Sequence, residues 1–142
     1  MPAARFRVDH LMYAAGDSLR NTIRTGITLT EPVDPDILRE AVNRLPERFP
    51  YFAVRLVREN DSLFYEPNSA PYVIAEDGRT LPLGGKESNG HLVAFTCRGN
   101  TLFVDSSHFL MDGAGKFPFL KMMLFEYLRR RHPEENFDAA GI

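Results

Sequence analysis

The dipeptide Gly99-Asn100 separates "HLVAFTCR" (91–98) from "TLFVDSSHF" (101–109), two runs that alternate apolar and polar side chains and carry several β-branched or aromatic residues. Runs of this kind, joined by two residues that tolerate positive φ, form one of the strongest short-range hairpin signals. The chain is therefore predicted to contain an antiparallel pair whose second strand ends at His108, four positions before the turn-forming pair Asp112-Gly113.

Further elements follow from periodicity. A short opening strand is predicted around "RFRV", then a brief helix "HLMYAA" with Asp9 as its cap and Gly16 at its end. "TIRTGITLT" (22–30) places Ile23, Ile27 and Leu29 on one face of a period-two pattern, with Gly26 marking a bulge or a close backbone approach. In "VDPDILREAVNRLPERFP" Asp34 is a good N-cap and Pro35 suits the first helical position. The apolar set Ile37, Leu38, Ala41, Val42 and Leu45 recurs at helical spacing until Pro46, which is predicted to stop the helix. "YFAVRLVR" and "LFYEP", separated by "ENDS", read as a second hairpin. Residues 76–90 read as an exposed loop, "PYVI" before them as a short strand, and 133–142 as a tail. Leu120, Met123, Leu124, Tyr127 and Leu128 follow helical spacing from a start near Asp112-Gly113, and Arg129, Arg130 and Arg131 complement the negative end of that helix.

These elements belong to a single domain, because 142 residues with 44% hydrophobic and 11% aromatic content can fill one core. Seventeen basic against nineteen acidic residues give a net charge of -2, so no global field draws in nucleic acid. The one cysteine, Cys97, excludes an internal disulfide and lies in an apolar stretch, which suits a reducing compartment. No run reaches the ~20 apolar residues that cross a bilayer, and a cytoplasmic protein without a transmembrane segment is expected.

His108 is the residue with chemical potential. A histidine at a strand end is held by the sheet, and neutral imidazole, with an unperturbed pKa of ~6.5, can take a proton from a hydroxyl or amine. On spacing alone a purely structural histidine is the weightier reading. His10, His91 and His132 lack metal-ligand spacing, and Cys97 reads as a core residue rather than a nucleophile. No metal is expected.

"SHFLMDG" (107–113) resembles the His-x-x-x-Asp-Gly signature of the chloramphenicol acetyltransferase-like acyltransferases, which include condensation domains of nonribosomal peptide synthetases and alcohol acetyltransferases. The likeness extends through "GITLTEPVDPDILREAVNRLPERFPYFAVRLVRENDSLFYE" and, in order and spacing, over most of residues 5 to 130. It reverses the weighting on His108. The resemblance implies an α/β (α+β) two-layer sandwich, with a mainly antiparallel or mixed sheet packed on helices, and residues 1–142 as one N-terminal subdomain. It implies His108 as general base, with Asp112 and Gly113 in structural support of the site. It also implies no bound cofactor, acyl-CoA or an acyl carrier protein thioester as co-substrate, and a hydroxyl or amine acceptor.

Two features depart from the pattern. Many members carry a second histidine where Ser107 stands, and nothing here corresponds to the half of the domain that walls the far side of the substrate tunnel. The expectations that follow are an incomplete site, little activity from this chain alone, and an apolar inward surface that meets either the missing C-terminal half or a second copy. An O-acyltransferase is the leading reading, with a condensation-type amide-forming domain and a non-catalytic binding or assembly module as alternatives.

Overall fold

The computed structural model describes residues 5–7, 22–108, 110–111 and 113–135. The strands are β1 (Phe6–Arg7), β2 (Thr22–Thr28), β3 (Val54–Glu59), β4 (Ser62–Pro67), β5 (Ile74–Ala75), β6 (Val93–Arg98) and β7 (Thr101–Ser107). The helices are α1 (Pro35–Val42), α2 (Leu45–Arg48) and α3 (Gly113–Arg131). The predicted helix over "HLMYAA", with Asp9, His10 and Gly16, lies outside the described residues, as does the tail beyond residue 135.

Two sheets form. The larger has the order β2-β7-β6-β5, antiparallel except for the parallel β5–β6 pair, and the smaller has the order β1-β4-β3. The hairpin at Gly99-Asn100 is present in the predicted register, with Arg98 opposite Thr101. Gly99 alone of the two turn residues takes positive φ, at 57°. Gly26 sits in unbroken pairing opposite Phe103, so there is no bulge. A Cβ there would lie 3.2 Å from the Phe103 ring, so the glycine makes room for a side chain rather than for backbone.

One face of the larger sheet carries Val93, Phe95, Leu102 and Val104, all buried, and packs on Leu38, Ala41 and Val42 of α1 and on Phe119, Met122, Met123 and Tyr127 of α3. This is the predicted two-layer α/β arrangement with a mixed sheet. Edge-to-face contacts from Phe119 to Phe49 and Phe52, both with centroids 5.5 Å apart, tie α3 to the segment that follows α2. At the N-terminus of α1, Asp34 Oδ1 accepts from the N–H groups of Asp36 and Ile37, as an N-cap should. The Tyr127 hydroxyl accepts from the Asp34 N–H at 2.9 Å and so ties α3 to that cap.

Three expectations need correction. The helix from Pro35 ends at Val42 rather than at Pro46, and Pro46 lies in the first turn of α2, where a missing N–H costs little. Asn43 ends α1: its side-chain N–H donates to the Arg39 carbonyl and its Oδ1 accepts from the Tyr72 N–H. The strand read from Tyr51 begins at Val54, because Pro50–Phe52 form a 3-10 turn that buries Phe52. The loop 76–90 is exposed at most positions but fixed at three, since Leu81, Leu83 and Ser88 are buried.

Candidate active site

β7 occupies the most protected position in the larger sheet, bonded to β2 along one side and to β6 along the other. It ends at Ser107, whose N–H donates to the Leu92 carbonyl at 2.9 Å. The Ser107 carbonyl accepts from the N–H groups of Leu110 at 3.1 Å and Met111 at 3.3 Å, which closes a turn. Met111 is only 1% exposed and anchors that turn in the core. His108 is the first residue of the turn and is solvent-exposed. Gly113 opens α3, as the sequence predicted. Asp112 lies outside the described residues.

The strand leading to His108 has an electrostatic support that the sequence reading did not single out. Arg24 on β2 lies directly opposite Asp105 on β7 and holds it with two bonds, Nε to Oδ1 at 2.7 Å and Nη2 to Oδ2 at 2.9 Å. Its Nη1 donates to the Gly78 carbonyl at 2.8 Å, and the guanidinium stacks 4.5 Å from the Phe103 ring centroid. The bonds to Asp105 outweigh desolvation and raise the Arg24 pKa above its ordinary value, so the cation is secure. One side chain thus joins two strands and a loop, three residues before His108. Asp105 is 1% exposed, and a buried carboxylate demands a partner. The partner was unreadable because Arg24 is 81 positions away.

Near the start of α3, Lys116 Nζ donates to Thr25 Oγ1 at 3.4 Å, so helix and sheet are bridged close to the histidine turn. Ser106 Oγ is buried with no partner among the described residues.

The remaining candidates fall elsewhere. His91 is fully buried, and its Nε2 lies 2.7 Å from the Ala70 carbonyl, which can only accept, so Nε2 carries the proton. Burial pushes His91 down from its ordinary value, against the opposing effect of that bond, so it is neutral at pH 7. His132 pairs with Glu31, which this bond holds below the usual carboxylate range. Burial pushes the Cys97 thiol up, which disfavours the thiolate a nucleophile needs. Arg129 and Arg130 pair with Glu126, and Arg131 lies 3.5 Å from both Glu31 and Asp34, so the basic cluster serves the helix end. Among the described residues, no group of three histidine, cysteine or acidic side chains could hold a metal ion.

No protein-family profile and no curated protein matches the chain. Solved structures do. The starter condensation domain of the rhizomide synthetase RzmA superposes with a TM-score of 0.69 at 10% identity, over 96% of this chain and 40% of that one. The chain has a chloramphenicol acetyltransferase-like fold. Polyketide synthase associated protein 5 from Mycobacterium tuberculosis shares this fold at a TM-score of 0.63 and 16% identity, over 84% of this chain and 32% of its own. So does the TRI101 protein of F. sporotrichioides, solved with coenzyme A and T-2, at a TM-score of 0.56 and 16% identity, over 95% of this chain and 42% of its own. A variant of the RzmA domain was solved with C8-CoA. The chain thus spans about two fifths of the RzmA domain's length. Among the described residues, no helix is long and apolar enough to cross a membrane.

Proposed function

We propose that this chain is the N-terminal part of an acyl-CoA-dependent acyltransferase in which His108 is the general base. The observation that carries the proposal is the position of His108, exposed in the turn between the last residue of β7 and the first turn of α3, in a fold shared with a protein solved with coenzyme A. Neutral imidazole takes the proton of the acceptor hydroxyl or amine as its oxygen or nitrogen attacks the thioester carbonyl carbon. The tetrahedral adduct then collapses, the C–S bond breaks, and the thiolate leaves with the proton returned from His108. No acyl-enzyme forms. Asp112 and Gly113 support the site from the turn, and the enzyme acts in the cytoplasm.

The second half of the pocket, from a C-terminal segment or another chain, positions donor and acceptor, and without it this chain turns over slowly. An alcohol acceptor with free acyl-CoA is the leading reading. A condensation-type domain would instead take a carrier-protein thioester and form an amide, and a binding module would do neither.

The test is acyl transfer by the native gene product, with thiol release and acylated product followed together for acyl-CoA and for acyl carrier protein donors. His108→Ala is expected to lower turnover about 10²- to 10⁴-fold while the fold survives. Turnover unchanged in that variant would remove the base role, and a strict requirement for the carrier protein would select the condensation reading.

A further inference from the structure

We propose that the free edge of β3, with Arg58 and Lys86 beside it, is a docking groove for an extended acidic peptide segment of a partner protein. Among the described residues β3 pairs only with β4. The pairing phase shows which backbone groups remain open: the Asn68 N–H donates to the Ala53 carbonyl at 2.9 Å, so those opposed residues form a bonded pair. Bonded and non-bonded pairs alternate along an antiparallel ladder. Leu56, opposite Tyr65, and Arg58, opposite Leu63, therefore turn their N–H and C=O groups away from β4. Pro67, which has no N–H to offer, occupies a non-bonded position opposite Val54, as that phase requires.

Leu56 and Arg58 line a groove of about 600 Å³ whose opposite wall is the turn from Gly84 to Gly90. That wall is fixed before any ligand arrives. Asn68 Nδ2 donates to the Asn89 carbonyl at 2.9 Å, and Asn89 Nδ2 donates to the Pro71 carbonyl at 3.0 Å. Gly90, at φ +79°, lets the turn pass close to Arg55 and Asn68 without a Cβ.

Charge selects the occupant. Among the described residues that line the groove none is a carboxylate, Glu87 of the same turn lying outside the lining, although the chain as a whole carries -2. Arg55 is neutralised by Glu66, whereas Arg58 and Lys86, both exposed, have no ion-pair partner among the described residues. An extended peptide satisfies the open backbone groups at alternate residues, and acidic side chains on it meet the two cations. A second copy paired in the register centred on Arg58 would set Arg58 against Arg58, which is unfavourable, and in any register it would bring a second set of these cations to the groove rather than carboxylates. A phosphate-bearing ligand would meet the cations and leave the strand edge unpaired. Cations on an edge strand can also serve only to prevent aggregation, and that reading predicts no ligand at all.

The experiment measures fluorescence anisotropy of a labelled octapeptide of alternating valine and glutamate on titration with the full chain. Saturable binding is expected. The double variant Arg58→Glu/Lys86→Glu should bind at least tenfold more weakly, as should a peptide N-methylated at alternate amides, and a valine–lysine octapeptide should not bind. Circular dichroism melting of the double variant, whose two sites are exposed, is expected within a few degrees of the parent and shows that it folds. The proposal is overturned by absence of binding, by equal affinity for the N-methylated peptide, or by an unaffected double variant. Concentration-dependent dimerisation through this edge in place of peptide binding would overturn it as well.

Discussion

The two sheets carry the same device in two settings. In each, an arginine and a carboxylate lie directly opposite one another on adjacent antiparallel strands: Arg24 and Asp105 in the larger sheet, Arg55 and Glu66 in the smaller. The side chains of the first pair are 32% and 2% exposed, those of the second 56% and 18%. Geometry is alike and environment is not, so the energetic consequences differ. A desolvated carboxylate depends on its partner, whereas a wet ion pair contributes little. The larger sheet, covered on its helix-facing side and locked by Arg24, is a platform fit to hold His108. The smaller sheet keeps an open edge and offers it to solvent.

Substitutions can break this contrast. The largest effect is expected in the core beneath the larger sheet. Phe95→Ala removes a fully buried ring that stacks near Phe119 and should cost about 3–5 kcal/mol, measured by denaturant unfolding. Arg24→Ala, which leaves Asp105 buried without its cation, should cost about 3 kcal/mol. The matching change in the smaller sheet, Arg55→Ala, should cost less than about 1 kcal/mol and is the sharpest control. Equal losses from the two arginine variants would erase the distinction between the sheets.

A pH experiment probes His91, which bonds the Ala70 carbonyl 21 positions away. His91 has a lowered pKa in the folded protein, so the unfolded chain takes up a proton first as pH falls. The stability contribution of the neutral ring is complete above about 6.5, the unperturbed value, and is lost progressively below it. The loss is bounded at about 1.4 kcal/mol per pH unit until the folded value is reached. His91→Gln should flatten this slope in urea melts at pH 5 and 7, and an unchanged slope would assign the acid sensitivity elsewhere. Smaller still, Gly99→Ala should cost about 1 kcal/mol through its φ of 57°, because no atom lies within 4 Å of the added methyl.

What could be read in the sequence was local. The Gly99-Asn100 hairpin, the Asp34 cap, the start of α3 at Gly113 and the strand-end position of His108 each depend on residues a few places apart, and each appears as read. The resemblance carried by "SHFLMDG" placed the chain in the fold that the solved structures share. What escaped was set by distant partners. Arg24 and Asp105 meet across 81 positions, and Asn43 ends α1 partly by bonding Tyr72, 29 positions on. Leu81 and Leu83 look like loop residues because their burial comes from packing rather than from any period in the sequence.

On the proposed function, His108 stands in one half of a two-part site. Native mass spectrometry of the protein isolated from its source cells tests it most directly. The account predicts a particle well above the 16.1 kDa of this chain, either one longer polypeptide or a stoichiometric complex, which transfers acyl groups. A 16.1 kDa monomer with full acyl-transfer activity would contradict it.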